Sequence, residues 1–242
     1  MREEHLLSTE LFLYPRTKAV QTGLNGEFIV SPRLDDLQCV FGCLEGFLAA
    51  KPGGSLPVLA VFNNEEVGSN TRQGADSTFL TDVLERIAHG CGLDSEAWKA
   101  AVANSFMVSA DNAHAIHPAH PEYADKGEFP VLGGGIVIKY NANQRYTSDA
   151  VSAGIFRRIC ESAGVPVQYY ANRADMPGGS TLGNISNTQV SLNAVDIGLA
   201  QLAMHSPFET AGATDTASLV KALTAFFEHS LVAERDGVYR FL

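Results

Sequence analysis

Leu56-Pro57-Val58-Leu59-Ala60-Val61-Phe62-Asn63-Asn64-Glu65-Glu66-Val67-Gly68-Ser69 reads as an apolar, strand-forming run that ends on two adjacent carboxylates. It is entered through Pro52-Gly53-Gly54-Ser55, so the pattern predicts a buried β-strand over residues 56–62. Two carboxylates at the end of a buried strand must be solvated, paired or bound to a metal. In the metal reading one is a ligand and its neighbour takes a proton from activated water. In the plainer reading the pair is a solvated turn ahead of Gly68.

Outward from this stretch, apolar runs alternate with helical patterns, which predicts an α/β fold built as a single compact layer structure. Helices are expected over residues 37–50, 77–89, 94–104, 148–163 and 214–229. The clearest are 77–89, with Phe79, Leu80, Val83, Leu84 and Ile87 on one face, and 148–163, with Val151, Ile155, Ile159 and Cys160. Gly164 stops the latter. Strands are expected over 106–110, 135–140, 165–170 and 190–197, and Pro177-Gly178-Gly179-Ser180-Thr181 reads as a glycine-rich turn. The tail, residues 232–242, carries no motif.

Composition narrows the function classes. The 242 residues, 45% hydrophobic and 18% charged, suffice for a substantial core. A net charge of −10 argues against nucleic acid, which demands a basic face. No apolar run approaches the roughly 20 residues of a membrane helix, and no secretory leader is visible, so the expectation is a cytoplasmic protein. Cys39, Cys43, Cys91 and Cys160 lack zinc-ribbon spacing and are expected to be buried thiols.

Further polar residues stand at element ends, where α/β proteins gather catalytic groups. Asp35 and Asp36 open the helical segment 37–50, and on their own read as helix N-caps. Asp111 follows the strand at 106–110, with His114, His117 and His120 behind it. Pro118 and Pro121 forbid a helix that would align these three histidines as ligands. His205 lies between an apolar stretch and Pro207, where a lone histidine is often structural. Together Asp35, Glu66, Asp111 and His205, with Glu65 beside them, supply the oxygen and imidazole donors that zinc accepts.

Six motifs then occur in order: Leu34-Asp35-Asp36; Asn64-Glu65-Glu66-Val67-Gly68-Ser69 with Gln73-Gly74-Ala75; residues 109–118, Ser-Ala-Asp-Asn-Ala-His-Ala-Ile-His-Pro; Val137-Ile138-Lys139; Pro177-Gly178-Gly179-Ser180-Thr181; and Ala203-Met204-His205-Ser206. On these the chain resembles the C-terminal part of an aspartyl aminopeptidase, a family of cytosolic zinc exopeptidases with two co-catalytic metals. The resemblance runs from about residue 8 to residue 227.

What it implies is a three-layer α/β sandwich with a mixed central sheet, zinc-exopeptidase-like but lacking its N-terminal strands, so that residues 1–242 form one truncated catalytic domain. Asp35 would bridge two zinc ions, Glu66 and His205 would complete one, and Asp111 would hold the other, with Glu65 as general base. Cobalt or manganese would also suit these ligands. The implied substrates are peptides with N-terminal Asp or Glu, with Lys139 the candidate cation for their carboxylate, Gly179 in a turn offering N–H groups, and His114 orienting the substrate.

Two departures stand out. Asn63 occupies a position where the family usually has aspartate. Family members are also nearly twice as long, and the portion without counterpart carries a histidine ligand, early strands and a dimerisation domain. Neither His5 nor its surroundings resembles that ligand segment. An unpaired sheet edge or exposed apolar surface is therefore expected unless another chain packs there. Three functions follow: an aminopeptidase completed by an N-terminal half or by oligomerisation, a non-catalytic remnant serving as a subunit, or a mononuclear hydrolase on Asp35, Glu66 and His205.

Overall fold

The computed structural model describes residue 5, residues 7–176 and residues 178–242. Pro177, the first residue of the glycine-rich turn, lies outside them. In chain order the elements are β1 (Val20–Thr22), β2 (Phe28–Ser31), α1 (Leu34–Ala49), α2 (Phe79–Gly90), α3 (Ser95–Ala103), β3 (Phe106–Ala110), β4 (Ala113–His114) and β5 (Ile136–Tyr140). Then follow α4 (Ala150–Ser162), β6 (Val167–Ala171), α5 (Leu182–Ser186), β7 (Asn193–Leu202), β8 (Glu209–Gly212), α6 (Asp215–Glu228), β9 (Leu231–Arg235) and β10 (Val238–Phe241).

The first eight strands make one mixed sheet in the order β1-β2-β8-β7-β5-β6, with β3 and β4 pairing parallel to β7. β5 runs parallel to β6 and antiparallel to β7. Strand alternation divides β5 between two faces. Ile136 and Ile138 enter the main core with Val195, Ile197 and Leu199 of β7, Phe156 and Cys160 of α4, and Leu219 and Leu223 of α6. Val137 points the other way, toward Ala113 and Ala200, and Lys139 shares its side of the strand. Complete burial of a side chain such as Phe156 contributes roughly 1.5–3 kcal/mol.

Helices α1, α4 and α6 cover the main-core face. α1 and α6 come close because Gly42 and Gly46 leave room: a Cβ on Gly46 would lie 2.8 Å from Leu223 Cβ. Phe47 and Phe227 close the same interface edge to face at 5.3 Å. On the other face of β7, α5 packs over Asp196, whose carboxylate accepts hydrogen bonds from Thr147 and Thr181. The expected layered α/β arrangement with a mixed central sheet is therefore present. Two helices carry side-chain caps: Asp94 caps α3, and Asp149 and Ser152 form a reciprocal box at α4.

Several expectations need correction. Residues 56–62 are not a strand: they pair with no strand among the described residues, and Leu56, Val58 and Val61 are exposed. Side-chain pattern alone cannot make a strand; ladder bonds from a neighbour are required. Exposed apolar surface lies here and along α1, at Leu37, Phe41, Leu44 and Leu48. The motif-free tail forms the β9-β10 hairpin. Of the cysteines, Cys39 and Cys160 are buried, whereas Cys91 is exposed, and all four are free.

Candidate metal centre

Three sequence-distant carboxylates and one histidine meet where irregular backbone carries them. Asp35 and Asp36, joined by a cis peptide bond, are non-helical residues at the head of α1, and neither caps the helix. The N-capping reading of this pair is thus incorrect. Glu65 and Glu66 occupy a single 3-10 turn flanked by Asn64 and Gly68, both with left-handed backbone. His205 is itself left-handed, at φ 67°, as are Ala203 and Arg33 nearby in sequence to the two ligands. A left-handed non-glycine residue is strained by roughly 1–2 kcal/mol. Of the six such residues among those described, only Gln144 is remote in sequence from these site motifs.

The donor atoms converge. His205 Nε2 lies 3.0 Å from Asp35 Oδ2 and 3.0 Å from Glu66 Oε2. One ligand atom from each of Asp35, Glu66 and His205 falls within 4.8 Å of the others, so a single divalent ion fits among them. Oxygen donors with one imidazole suit zinc and also cobalt or manganese. Burial and the neighbouring charges of Asp111 and Glu66 push the Asp35 carboxyl up to about 9. Burial, with Asp111 and Glu66, raises Glu65 to about 7. A cluster that resists ionisation this strongly is one that a cation relieves.

Asp111 directly follows β3, its N–H held by the Ile197 carbonyl. Lys139 explains how its charge is tolerated. The ammonium is 1% exposed, donates to the carbonyls of Asp111 at 3.0 Å and Asn112 at 3.2 Å, and lies 3.5 Å from Asp111 Oδ2. It also stands over the Tyr146 ring at 5.2 Å. Lys139 was expected to meet a substrate carboxylate; its donors are directed to Asp111 and Asn112 instead. Asn112 in turn donates to Gln38 and Gln201.

His114, on β4, borders a cavity of about 290 Å³ lined also by His117, His120, Tyr170 and Arg173. Partial loss of solvent and the positive charges of Lys139 and His205 lower its pKa. Gly179 is exposed, with no described atom within 4 Å of where a Cβ would stand. At Gly178 a Cβ would stand 2.7 Å from the side-chain ends of Asn141 and Asn172, which would have to move aside.

Glu209 escaped sequence reasoning. It is 2% exposed, and its two carboxylate oxygens accept the backbone N–H of Asp35 at 2.9 Å and of His205 at 2.7 Å. The only sequence signal is its place four residues after His205. Asp36 was read as a cap, yet it is a largely buried carboxylate whose Oδ1 lacks a hydrogen-bond partner. Burial, with Asp111 and Asp35, raises its pKa.

The family model described as aminopeptidase I zinc metalloprotease (M18) matches residues 1–227. A relative from Clostridium acetobutylicum, named "Probable M18 family aminopeptidase 2", is 45% identical over 224 residues, covering 93% of this chain and 52% of the relative. The chain spans about half the length of the curated relatives it matches. Among solved structures, the cryo-EM structure of the Ape4 and Nbr1 complex superposes with a TM-score of 0.82 at 36% identity, covering 87% of this chain and 41% of that one. The S. cerevisiae mApe1 dodecamer superposes with a TM-score of 0.74 at 29% identity, covering 88% and 49%. Among the described residues no helix is long and apolar enough to cross a membrane.

Proposed function

The chain belongs to the M18 family of aminopeptidase I zinc metalloproteases, and from that premise we propose that it carries the metal-dependent centre of an aminopeptidase that releases N-terminal Asp or Glu from peptides. The observation that carries this reading is the convergence of Asp35, Glu66 and His205 donors within 4.8 Å, with Glu65 adjacent. A divalent ion held there would polarise the scissile carbonyl and lower the pKa of water toward neutrality.

The chain's own residues supply the rest. Glu65, raised to about 7, is poised to take a proton at neutral pH and return it to the leaving amine. Asp111 joins Asp35 in holding a second ion, and Lys139 keeps Asp111 in place. His114 orients the substrate beside the cavity it lines. The turn at Gly179 offers backbone N–H groups to the acidic side chain. Residues 1–242 act as one catalytic unit in the cytoplasm, within a homo-oligomer or with an N-terminal half; the dodecamer of mApe1 supports assembly.

The test is zinc-loaded chain, alone and with the remaining portion of the Clostridium relative, assayed on peptides beginning with Asp, Glu or Leu. Glu65→Gln is expected to lower turnover at least about 100-fold while leaving metal content unchanged. Turnover that survives Glu65→Gln, or equal rates on Leu-initiated peptides, contradicts the assignment of base or of specificity respectively. The second reading, a non-catalytic subunit, is favoured by the donor cluster, which among the described residues brings together Asp35, Glu66 and His205 alone. It predicts metal content of one ion or fewer and no turnover in either condition.

A further inference from the structure

Two of the candidate ligands are separated by 170 positions in sequence, and each sits on backbone without regular hydrogen bonding: Asp35 before the regular part of α1, His205 in a turn between β7 and β8. Something must fix their spacing, because ligand atoms displaced by fractions of an ångström bind metal poorly. The fold ties their backbones through one side chain. Glu209 Oε2 accepts from Asp35 N–H and Oε1 accepts from His205 N–H. Its own position is set by β8, where it pairs in register with Ser31 of β2.

The residue type follows from the geometry. A buried carboxylate offers acceptors on both oxygens, whereas a glutamine in the same place would turn an NH₂ toward one of the two N–H groups. Hydrogen bonds to an ionised acceptor are also roughly twice as strong as neutral ones. Among the described residues Glu209 makes no ion pair, so these two N–H groups carry the compensation for a side chain that is 2% exposed. A carboxylate kept in a site already crowded with Asp35, Glu66 and Asp111 is costly unless its negative charge is used.

We propose that Glu209 is a positioning residue of this centre: its carboxylate clamps the ligand-bearing backbones of Asp35 and His205 at the spacing a divalent ion requires. The inference rests on the metal-centre reading above. It assigns Glu209 no contact with ion or substrate.

The test is metal affinity and ligand-field spectrum of the full chain loaded with cobalt, for wild type, Glu209→Gln and Glu209→Asp, with folded fraction measured alongside. The expected result is cobalt affinity per folded molecule weakened about 10- to 100-fold in Glu209→Gln, with an altered visible spectrum. Glu209→Asp keeps the charge but shortens the arm, and is expected to fall between the two; it carries the test if Glu209→Gln does not fold. Wild-type affinity and spectrum in a folded variant overturn the proposal, as does loss of stability with unchanged affinity per folded molecule. A wild-type chain that binds no cobalt refutes the metal-centre reading itself, which separates the two failures.

Discussion

Replacing Lys139 by methionine separates a structural cation from a substrate-binding one. Methionine roughly preserves the stem while removing three interactions: hydrogen bonds of 3.0 and 3.2 Å to the Asp111 and Asn112 carbonyls, and the 3.5 Å approach to Asp111 Oδ2. The Asp111 carboxylate, in a residue only 9% exposed, is then left unpaired. Breaking a buried pair by removing one partner costs about 3–5 kcal/mol. With an m-value near 3 kcal/mol per molar urea, the unfolding midpoint of metal-free Lys139→Met should fall by roughly 1 M or more. Added zinc should recover part of that loss by supplying a new positive charge beside Asp111. A midpoint shifted by less than about 0.3 M, together with raised KM for Asp-initiated peptides only, would refute the reasoning and return Lys139 to the substrate pocket.

Two other outcomes are expected. The metal-free chain should lose stability as pH rises: Asp35 holds its proton up to about 9 in the folded state against 3.8 ordinarily, so between those values the native state binds more protons than the unfolded one. Urea midpoints at about pH 6 and about pH 9 should show this slope without zinc and lose it with zinc; a flat metal-free profile contradicts the burial of this cluster. Gly46→Val should destabilise by about 1–3 kcal/mol, since its Cβ would sit 2.8 Å from Leu223 Cβ and 3.1 Å from the Thr224 nitrogen. A melting temperature unchanged from wild type would mean that α1 and α6 do not pack as described.

What the sequence disclosed was local. The period of Val151, Ile155 and Ile159 placed α4 to within about two residues, and the cap at Asp149 belongs to the same short window. The ordered motifs named Asp35, Glu66 and His205, and these three do meet. Non-local pairing was hidden. Residues 56–62 have strand composition but, among the described residues, no strand beside them, and the short strands β1 and β2 carry too few residues for a periodic signal. The burial of Lys139 was readable from alternation along β5, which puts it on the same side as buried Val137, but its partners Asp111 and Asn112 were not. Glu209 gave no warning, because a single glutamate acquires its meaning only when Asp35 arrives from 174 positions away.

The left-handed residues around the centre bear on how this protein would respond to selection. Arg33, Asn64, Ala203 and His205 each hold a conformation that glycine adopts without penalty. Screening a library for heat resistance alone should therefore enrich glycine at Ala203 and Arg33, relieving the torsion while loosening the turns that present His205 and Asp35. Thermal robustness and metal binding would then drift apart, and a variant chosen for the first should be checked for the second.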